Sequence, residues 1–403
     1  MGKIDIYDYP RRLEQAIAKL RVEDGVCKEN VEAITYFCKV KLAKGVTYGR
    51  VAKTVYCLRF LAKWLKKPFK EATKEDLIAL VGELETKKYA EHTKYDYKVI
   101  LKMFYKWLKG NDEFFPPEVT WMKMSMKNHR HKLPEELLSE DEVLRMAEAA
   151  INPRDKTLIL ILYETGCRVG ELLSLQMRNV SFDQYGAVLR VTGKTGDRRV
   201  RVISSSPILA SWLNAHPRAN DPEASLWLQY KNNKKTDKCM RHGTIYATLK
   251  KIAKRTGIQK KIYPHLFRHS RATAMAGKLT EAQMKEYFGW VQGSDMAATY
   301  VHLSGRDVDN ALLKMHGMAQ VESTQEEKLK LKTCQRCKES NSPISKFCTK
   351  CGMPLDESFI SIIEKERQKS DNLMNKLIED DEVKNFLLKK IVEKGLDKTL
   401  LAD

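Results

Sequence analysis

The sequence predicts a multidomain protein. We expect an all-α N-terminal domain, a mainly α (α+β) second domain with a small antiparallel sheet, and a cysteine-rich C-terminal module with a helical tail. The chain has 403 residues, enough for about two or three domains. Apolar residues recur at helical spacing through residues 8–110, and alternating segments flank a turn at Gly193. Two C-x-x-C pairs lie near the C-terminus.

The composition is strongly basic. Lysine and arginine number 72 against 52 aspartates and glutamates, and the net charge is +20 at pH 7. Such a chain typically binds a polyanion, most often nucleic acid. No apolar run reaches the roughly 18 residues of a membrane span, and the N-terminus lacks the apolar core of a secretory signal. We therefore expect a cytoplasmic, DNA-associated protein that is neither secreted nor bound to a membrane.

Residues 1–110 are predicted to form the helical domain. Two of its segments end on similar motifs that place Trp64 and Trp107 on apolar faces, with lysines outside. Such tryptophans are more often core residues than platforms for stacked bases, whereas the outer lysines suit phosphate contacts. The predicted segments are Val31–Val40, Val51–Leu65, Leu77–Leu84 and Tyr97–Leu108.

Residues 111–137 are expected to be a linker, because prolines and polar residues interrupt the periodic pattern and the second half is basic. A second domain is predicted for residues 138–320. It begins at Ser139, whose acidic successors are typical of a helix N-terminus. Alternating residues on both sides of Gly193–Asp197 predict a β-hairpin formed by Val188–Thr192 and Arg199–Ile203. The predicted helices are Val143–Ala150, Lys156–Tyr163, Leu209–Asn214, Thr244–Thr256, Leu266–Ala276 and Glu281–Tyr287.

The hairpin carries a G-K-T triplet that is reminiscent of a phosphate-binding loop. That motif requires a glycine where Val188 stands, and a strand-to-helix turn where the hairpin lies. The departure excludes an NTPase of this type. What remains is Lys194 at the tip of a small sheet, where it can reach a phosphodiester in a groove or simply belong to a surface turn.

Three further clusters suit phosphate chemistry. Arg168 lies in the first turn of a helix, and Glu171 can cap that turn or hold the guanidinium. His265 and Arg268 share a helix face and combine a proton acceptor with a phosphate clamp. Tyr300 can act as a nucleophile if a base removes its proton. Each cluster taken alone is also consistent with an ordinary structural role.

The order and spacing of these residues resemble the tyrosine recombinase (phage integrase) family over roughly three quarters of the chain. The pattern T-G-x-R-x-x-E-L matches Thr165–Leu172, and the hairpin lysine matches Lys194. The pattern H-x-L-R-H-S is matched as His265–Ser270, the L-G-H step as Phe288–Trp290, and the Y-x-H step as Tyr300–His302.

The resemblance implies that Tyr300 attacks phosphorus and forms a 3′-phosphotyrosine link. Arg168 and Arg268 would neutralise the charge that develops on the phosphate oxygens. Glu171 and His269 are implied as supporting residues. Because the covalent link conserves the energy of the phosphodiester, neither ATP nor a catalytic metal is implied.

The resemblance also implies the acid–base roles. His265 would accept the phenolic proton as general base, and Lys194 would protonate the leaving 5′ oxygen as general acid. Trp290 stands where the family more often has histidine. Its indole can donate a hydrogen bond to phosphate and buttress Tyr300, but it cannot shuttle a proton.

By the same resemblance, residues 1–110 form a core-binding domain that clamps duplex DNA attachment sites, and residues 138–320 form the catalytic domain. Strand exchange between two duplexes implies four protomers at synapsis. Integration of a mobile element is favoured over resolution of chromosome dimers. Two alternatives stay open: relaxation of DNA by type IB topoisomerase-like chemistry, and a non-enzymatic DNA-binding regulator that keeps the fold.

The chain has nine cysteines, and four lie at zinc-ribbon spacing. They indicate a reducing compartment and one closed, structural Zn²⁺ site within residues 332–356, with an Fe–S or redox pair as the alternative. Residues 357–403 are expected to form amphipathic helices that bind a neighbouring protomer or fold back on the catalytic domain. The predicted ligands are Cys334, Cys337, Cys348 and Cys351.

Overall fold

A computed structural model describes residues 6–110, 113–124, 134–193, 195–231, 234–302, 312–313, 315–318 and 328–394. The chain divides into two compact units, Met1–Leu133 and Pro134–Asp403. Within the described ranges, no helix is long and apolar enough to cross a membrane.

The first unit is helical throughout its described part. Helix α3 packs against α1, α2, α4 and α5 around an apolar core. Trp64 and Trp107 are partly buried against that core, as predicted. The helices are α1 (Tyr9–Arg21), α2 (Lys28–Ala43), α3 (Tyr48–Leu65), α4 (Lys74–Thr86), α5 (Glu91–Leu108) and α6 (Pro117–Thr120).

Part of the expected linker packs onto this first unit. Helix α6 contacts α4 and α5, and Val119 and Met122 are buried in the same core. The buried ammonium of Lys102 donates to the carbonyl of Met122 at 3.1 Å. The basic stretch that follows, residues 125–133, lies outside the described residues.

The second unit is mainly helical, which confirms the coarse prediction. Helix α8 is almost completely buried and packs against α7, α10 and α12. The predicted cap of α7 is present, since Ser139 Oγ accepts from the Glu142 amide at 3.2 Å. The helices are α7 (Glu140–Ala149), α8 (Pro153–Thr165), α9 (Val169–Leu173), α10 (Ser206–Asn214), α11 (His242–Thr256), α12 (Pro264–Ala276), α13 (Glu281–Phe288) and α14 (Met296–His302).

The predicted hairpin belongs to a three-stranded antiparallel sheet of β1 (Val180–Asp183), β2 (Gly186–Gly193) and β3 (Gly196–Val202). Gly193 pairs with Gly196 at its tip. Strand β1 was not predicted, because its four residues are too few to show an alternating pattern. A second antiparallel pair, β4 (Leu228–Lys231) and β5 (Lys234–Cys239), was also missed, since β5 is polar along most of its length.

The cysteine-rich module contains a short antiparallel pair, β6 (Lys332–Thr333) and β7 (Ser340–Asn341). Strand β7 packs against α10 of the same unit. The Glu140 carboxylate at the start of α7 accepts from the amides of Lys328 and Leu329 at 2.8 and 3.1 Å. Two exposed helices follow, α15 (Glu357–Glu379) and α16 (Asp381–Glu393), which pack against each other.

Candidate active site

Arg168 lies between α8 and α9. Helix α8 ends at Gly166, whose φ of +55° favours glycine, and Arg168 is the N-cap residue of α9. The Arg168 amide donates to Glu171 Oε2 at 3.0 Å, and its Nη1 donates to Oε1 at 2.8 Å. Glu171 therefore both caps the turn and holds the guanidinium.

A second arginine shares the Glu171 carboxylate. Arg198 on β3 donates from Nη2 to Glu171 Oε2 at 2.8 Å. Glu171 is only 3% exposed. Burial alone would raise its pKa, but the hydrogen bonds and charges of Arg198 and Arg168 hold the pKa below the ordinary value. Glu171 is therefore ionised at neutral pH.

Three consecutive carbonyls at the C-terminal end of α13 accept hydrogen bonds from three arginines. Arg198 Nε donates to Tyr287 O at 3.2 Å, and Arg268 Nη2 donates to Phe288 O at 2.6 Å. Arg168 Nη2 donates to Gly289 O at 3.2 Å. The last carbonyls of a helix lack intrahelical partners and carry the negative end of its dipole. This helix end therefore holds the three guanidinium groups together.

Arg268 is buried between backbone and aromatic rings. Its Nη1 donates to Gly166 O at 2.9 Å, and its guanidinium lies 5.2 and 5.4 Å from the ring centres of Phe288 and Trp290. Burial and the nearby charge of Arg168 lower the pKa of Arg268 to about 10. The side chain therefore stays cationic at neutral pH.

Tyr300 lies at the end of an aromatic stack. Its ring is parallel to that of Trp290 within 5°, with centres 5.5 Å apart, and Trp290 stacks on Phe288 in turn. The phenol oxygen lies 2.5 Å from Nδ1 of His269. Burial raises the pKa of Tyr300, which the charge of Arg268 only partly offsets. The phenol is protonated at neutral pH and needs an acceptor for its proton.

Of the two remaining predicted residues, the structure describes His265 but not Lys194. His265 lies one helical turn before His269, exposed, with the two ring centres 6.0 Å apart. Lys194 lies outside the described residues. Its neighbour Thr195 donates from Oγ1 to Gly289 O at 3.1 Å, so the hairpin tip reaches the same carbonyl as Arg168.

The four predicted cysteines come together in the C-terminal module. Their sulfurs all lie within 4.8 Å of one another, with Cys334–Cys351 at 3.5 Å and Cys337–Cys348 at 3.4 Å. Tetrahedral zinc with Zn–S bonds of about 2.3 Å separates its sulfurs by about 3.8 Å. The donor set therefore fits one closed tetrathiolate site.

Comparison with known proteins agrees with the geometry. The sequence profile of the phage integrase family matches residues 136–306. Tyrosine recombinase XerA of Pyrococcus horikoshii is 35% identical over 147 residues, which are 36% of this chain and 50% of that protein. Tyrosine recombinase XerA of Pyrococcus furiosus is 27% identical over 221 residues, covering 54% of this chain and 71% of that one. Residues 136–306 belong to the tyrosine recombinase family.

The fold of the tyrosine recombinases extends further along the chain. The crystal structure of the XerH site-specific recombinase bound to palindromic difH substrate, a post-cleavage complex, superposes with a TM-score of 0.54. The superposition covers 77% of this chain and 91% of XerH at 19% identity. The resemblance inferred from the motifs is thus confirmed.

Two features of this candidate site were missed from the sequence. Arg198 was not predicted to be a site residue, although it shares a strand face with the buried Val200 and Val202. An inward-facing arginine on the same strand face as core residues indicates a buried carboxylate partner. The carbonyls of α13 gave no signal, because backbone acceptors have no sequence signature.

Proposed function

We propose that this protein is a site-specific DNA recombinase, or integrase, that cuts and rejoins duplex DNA through a 3′-phosphotyrosine intermediate. One observation carries the proposal: the Tyr300 phenol is hydrogen-bonded to an imidazole, and the charge of Arg268 acts on it. A nucleophile, a proton acceptor and guanidinium groups are the parts that metal-free phosphoryl transfer to tyrosine requires.

Attack on phosphorus builds negative charge on the non-bridging oxygens. Arg168 and Arg268 neutralise that charge. Their guanidinium groups are held by carbonyls at the end of α13, so they need little reorientation during the reaction. Each guanidinium has five N–H groups, and the protein contacts described above use only some of them. Planar donors of this kind bind phosphate oxygens in pairs.

The proton transfers follow the same geometry. As Tyr300 Oη bonds to phosphorus, His269 Nδ1 takes the phenolic proton and the P–O5′ bond breaks. The family resemblance supplies the second transfer, in which Lys194 gives a proton to the leaving 5′ oxygen. A 5′-hydroxyl of the partner strand then attacks the phosphotyrosine and reverses the step. Trp290 keeps the phenol in place by stacking.

The phenol must become accessible for this reaction. Tyr300 is 4% exposed, so binding of DNA has to displace its neighbours enough to admit the scissile phosphate. Exchange between two duplexes requires four strand cuts, and one nucleophile per protomer implies a tetramer on duplex DNA attachment sites. We propose integration of a mobile element as the cellular role, because the cysteine-rich module and the helical tail extend beyond the residues that match the family.

We further propose that the four cysteines hold one structural Zn²⁺, which supplies a cross-link between the two C-x-x-C turns. Because all four coordination positions are thiolates, no position is left for substrate. The module would then fold only with metal, and the catalytic residues lie elsewhere.

Covalent capture tests the proposed activity. The protein is incubated with sheared DNA from its own source, denatured in SDS, and the DNA that remains attached is sequenced. We expect fragments whose 3′ ends recur at one site, with none recovered by Tyr300→Phe. Arg168→Ala should abolish the adduct while leaving DNA affinity largely intact.

The other outcomes of this experiment separate the alternatives. Covalent attachment without site preference, together with relaxation of supercoiled DNA, would favour topoisomerase-like activity. Absence of any adduct despite tight binding would favour a DNA-binding regulator. A wild-type adduct that persists in Tyr300→Phe would remove Tyr300 as the nucleophile.

A further inference from the structure

We infer that the cysteine-rich module (residues 328–356) is a second DNA-binding surface, separate from the catalytic residues. This segment holds seven lysines and arginines against two acidic residues. The two helices that follow, residues 357–393, hold seven basic and nine acidic residues. The positive charge is therefore concentrated on the module and does not continue into the tail.

Three of its cations are exposed to solvent. Among the residues that the structure describes, Lys330, Arg336 and Lys338 have no carboxylate within ion-pair distance. By contrast, Lys328 pairs with Asp141 at 2.6 Å. Unpaired surface cations raise the local potential and attract phosphate, because no neighbouring carboxylate neutralises them.

Lys338 is held in a backbone conformation that disfavours lysine. It follows the second cysteine of its C-x-x-C pair and has φ of +60°. Gly352 occupies the same position in the other pair, with φ of +71°. The two turns are equivalent, since the Lys338 amide donates to Cys334 O at 2.9 Å and the Gly352 amide donates to Cys348 O at 3.0 Å.

A side chain in the left-handed region is strained, whereas glycine is not. The chain thus carries a cation at a position where glycine would be the more stable choice. Strain of this kind clusters where a side chain serves binding. A phosphate contact by Lys338 gives the strain a physical reason.

The module is attached to the unit that carries the active site. Glu140 accepts from the amides of Lys328 and Leu329, and β7 packs against α10. Duplex DNA bound by the module is therefore held by the same unit that presents Arg168 and Tyr300. The inference requires only that the module is folded, so it can be tested independently of the proposed phosphotyrosine chemistry.

Salt dependence of DNA binding by the full, zinc-loaded chain tests the inference. The triple variant Lys330→Gln/Arg336→Gln/Lys338→Gln is compared with Lys376→Gln/Lys384→Gln/Lys389→Gln, which removes the same charge from the exposed tail helices. Affinity for a long duplex of arbitrary sequence is measured between about 0.05 and 0.2 M salt. Zinc content is measured in parallel to verify that the module is folded.

We expect the module variant to reduce the slope of log K against log salt by about 1 per lost phosphate contact, and to weaken binding by about tenfold or more. The tail variant should keep the wild-type slope. Equal changes in both variants, or no change in either, would overturn the inference.

A single substitution gives an independent readout. Lys338→Gly relieves the strained backbone while removing the cation, so the apo-to-zinc transition should occur at lower zinc concentration and DNA affinity should fall. A purely structural role for Lys338 predicts the first change without the second. Unchanged DNA affinity in a folded Lys338→Gly protein would contradict the DNA contact.

Discussion

Glu171 joins two arginines through one carboxylate. Its Oε1 holds Arg168 and its Oε2 holds Arg198, so the position of one guanidinium depends on the other. Arg198 does not need to touch DNA to influence the reaction. We propose that it is a positioning residue that acts on Arg168 through Glu171.

Arg198→Ala should therefore slow formation of the phosphotyrosine adduct by about 10- to 100-fold, with little change in DNA affinity. Loss of Arg198 removes a hydrogen bond and a charge that lower the pKa of Glu171. The carboxyl then protonates at higher pH, and the acidic limb of the single-turnover pH profile should move to higher pH. Arg199→Ala, an exposed neighbour on β3, is the matched control.

Partial recovery by Arg198→Lys is also expected, because an ammonium can pair with Glu171 but lacks the rigid fork with which Arg198 also reaches Tyr287 O. If Arg198→Ala and Arg199→Ala gave the same rate and pH profile, the positioning role would be excluded.

Substitution of the two histidines of α12 is expected to slow cleavage to different extents. The resemblance assigns the general base to His265, whereas the described contact with the Tyr300 phenol is made by His269. His269→Gln should slow cleavage by about 100-fold or more, and His265→Gln by less. Because burial raises the pKa of Tyr300, cleavage by His269→Gln should keep rising with pH above neutrality as hydroxide replaces the base. A larger loss of cleavage rate in His265→Gln than in His269→Gln would identify His265 as the general base.

At the scale of elements, the C-terminal end of α13 organises the site. Gly289 is its cap, with φ of +61°, and a Cβ there would lie 2.7 Å from Arg198 Nη1. Residue 289 must adopt a left-handed backbone conformation and must also leave room for the guanidinium of Arg198. The L-G-H step of the family pattern thus has a physical reason for its glycine in this chain.

Gly289→Ala should lower the free energy of unfolding by about 1–2 kcal/mol and also slow cleavage. Gly257→Ala is the control, because Gly257 caps α11 with φ of +69° but has no atom within 4 Å of an added Cβ. Gly257→Ala should lower the free energy of unfolding through the left-handed backbone alone, and its cleavage rate should be normal. Equal cleavage rates in the two variants would show that the Arg198 contact is irrelevant to catalysis. Chemical denaturation and single-turnover cleavage supply the two measurements.

At the scale of the whole molecule, the cysteine-rich module and the proposed catalytic residues share one unit. Removal of zinc should release about one ion per chain and unfold residues 334–352, because four thiolates without metal have little core to hold them. Hydrogen exchange should also increase at the start of α7 and in α10, which contact the module. Exchange in the first unit should not change.

Cys334→Ser should reproduce the effect of the chelator, and Cys239→Ser, which lies outside the cluster, should retain zinc. Zinc content by elemental analysis and exchange by mass spectrometry check these expectations. Protein purified under reducing conditions with no metal would refute the tetrathiolate site.

The amino-acid sequence by itself determined the helical and hairpin segments, the family of residues 136–306 and the cysteine cluster. Those features depend on local periodicity and on the identity and order of side chains, which a linear chain carries directly. The short strand β1 and the polar pair β4–β5 were not determined in this way. Their pairing partners, more than their own composition, make them strands.

Only the tertiary structure decided which groups meet in the site. Arg168 reaches Gly289 across 121 positions, and Arg198 reaches Glu171 across 27. Likewise, the contact between His269 and Tyr300 depends on the packing of α14 against α12. Contacts with a backbone carbonyl or a shared carboxylate depend on how elements pack, and residue spacing does not encode that packing.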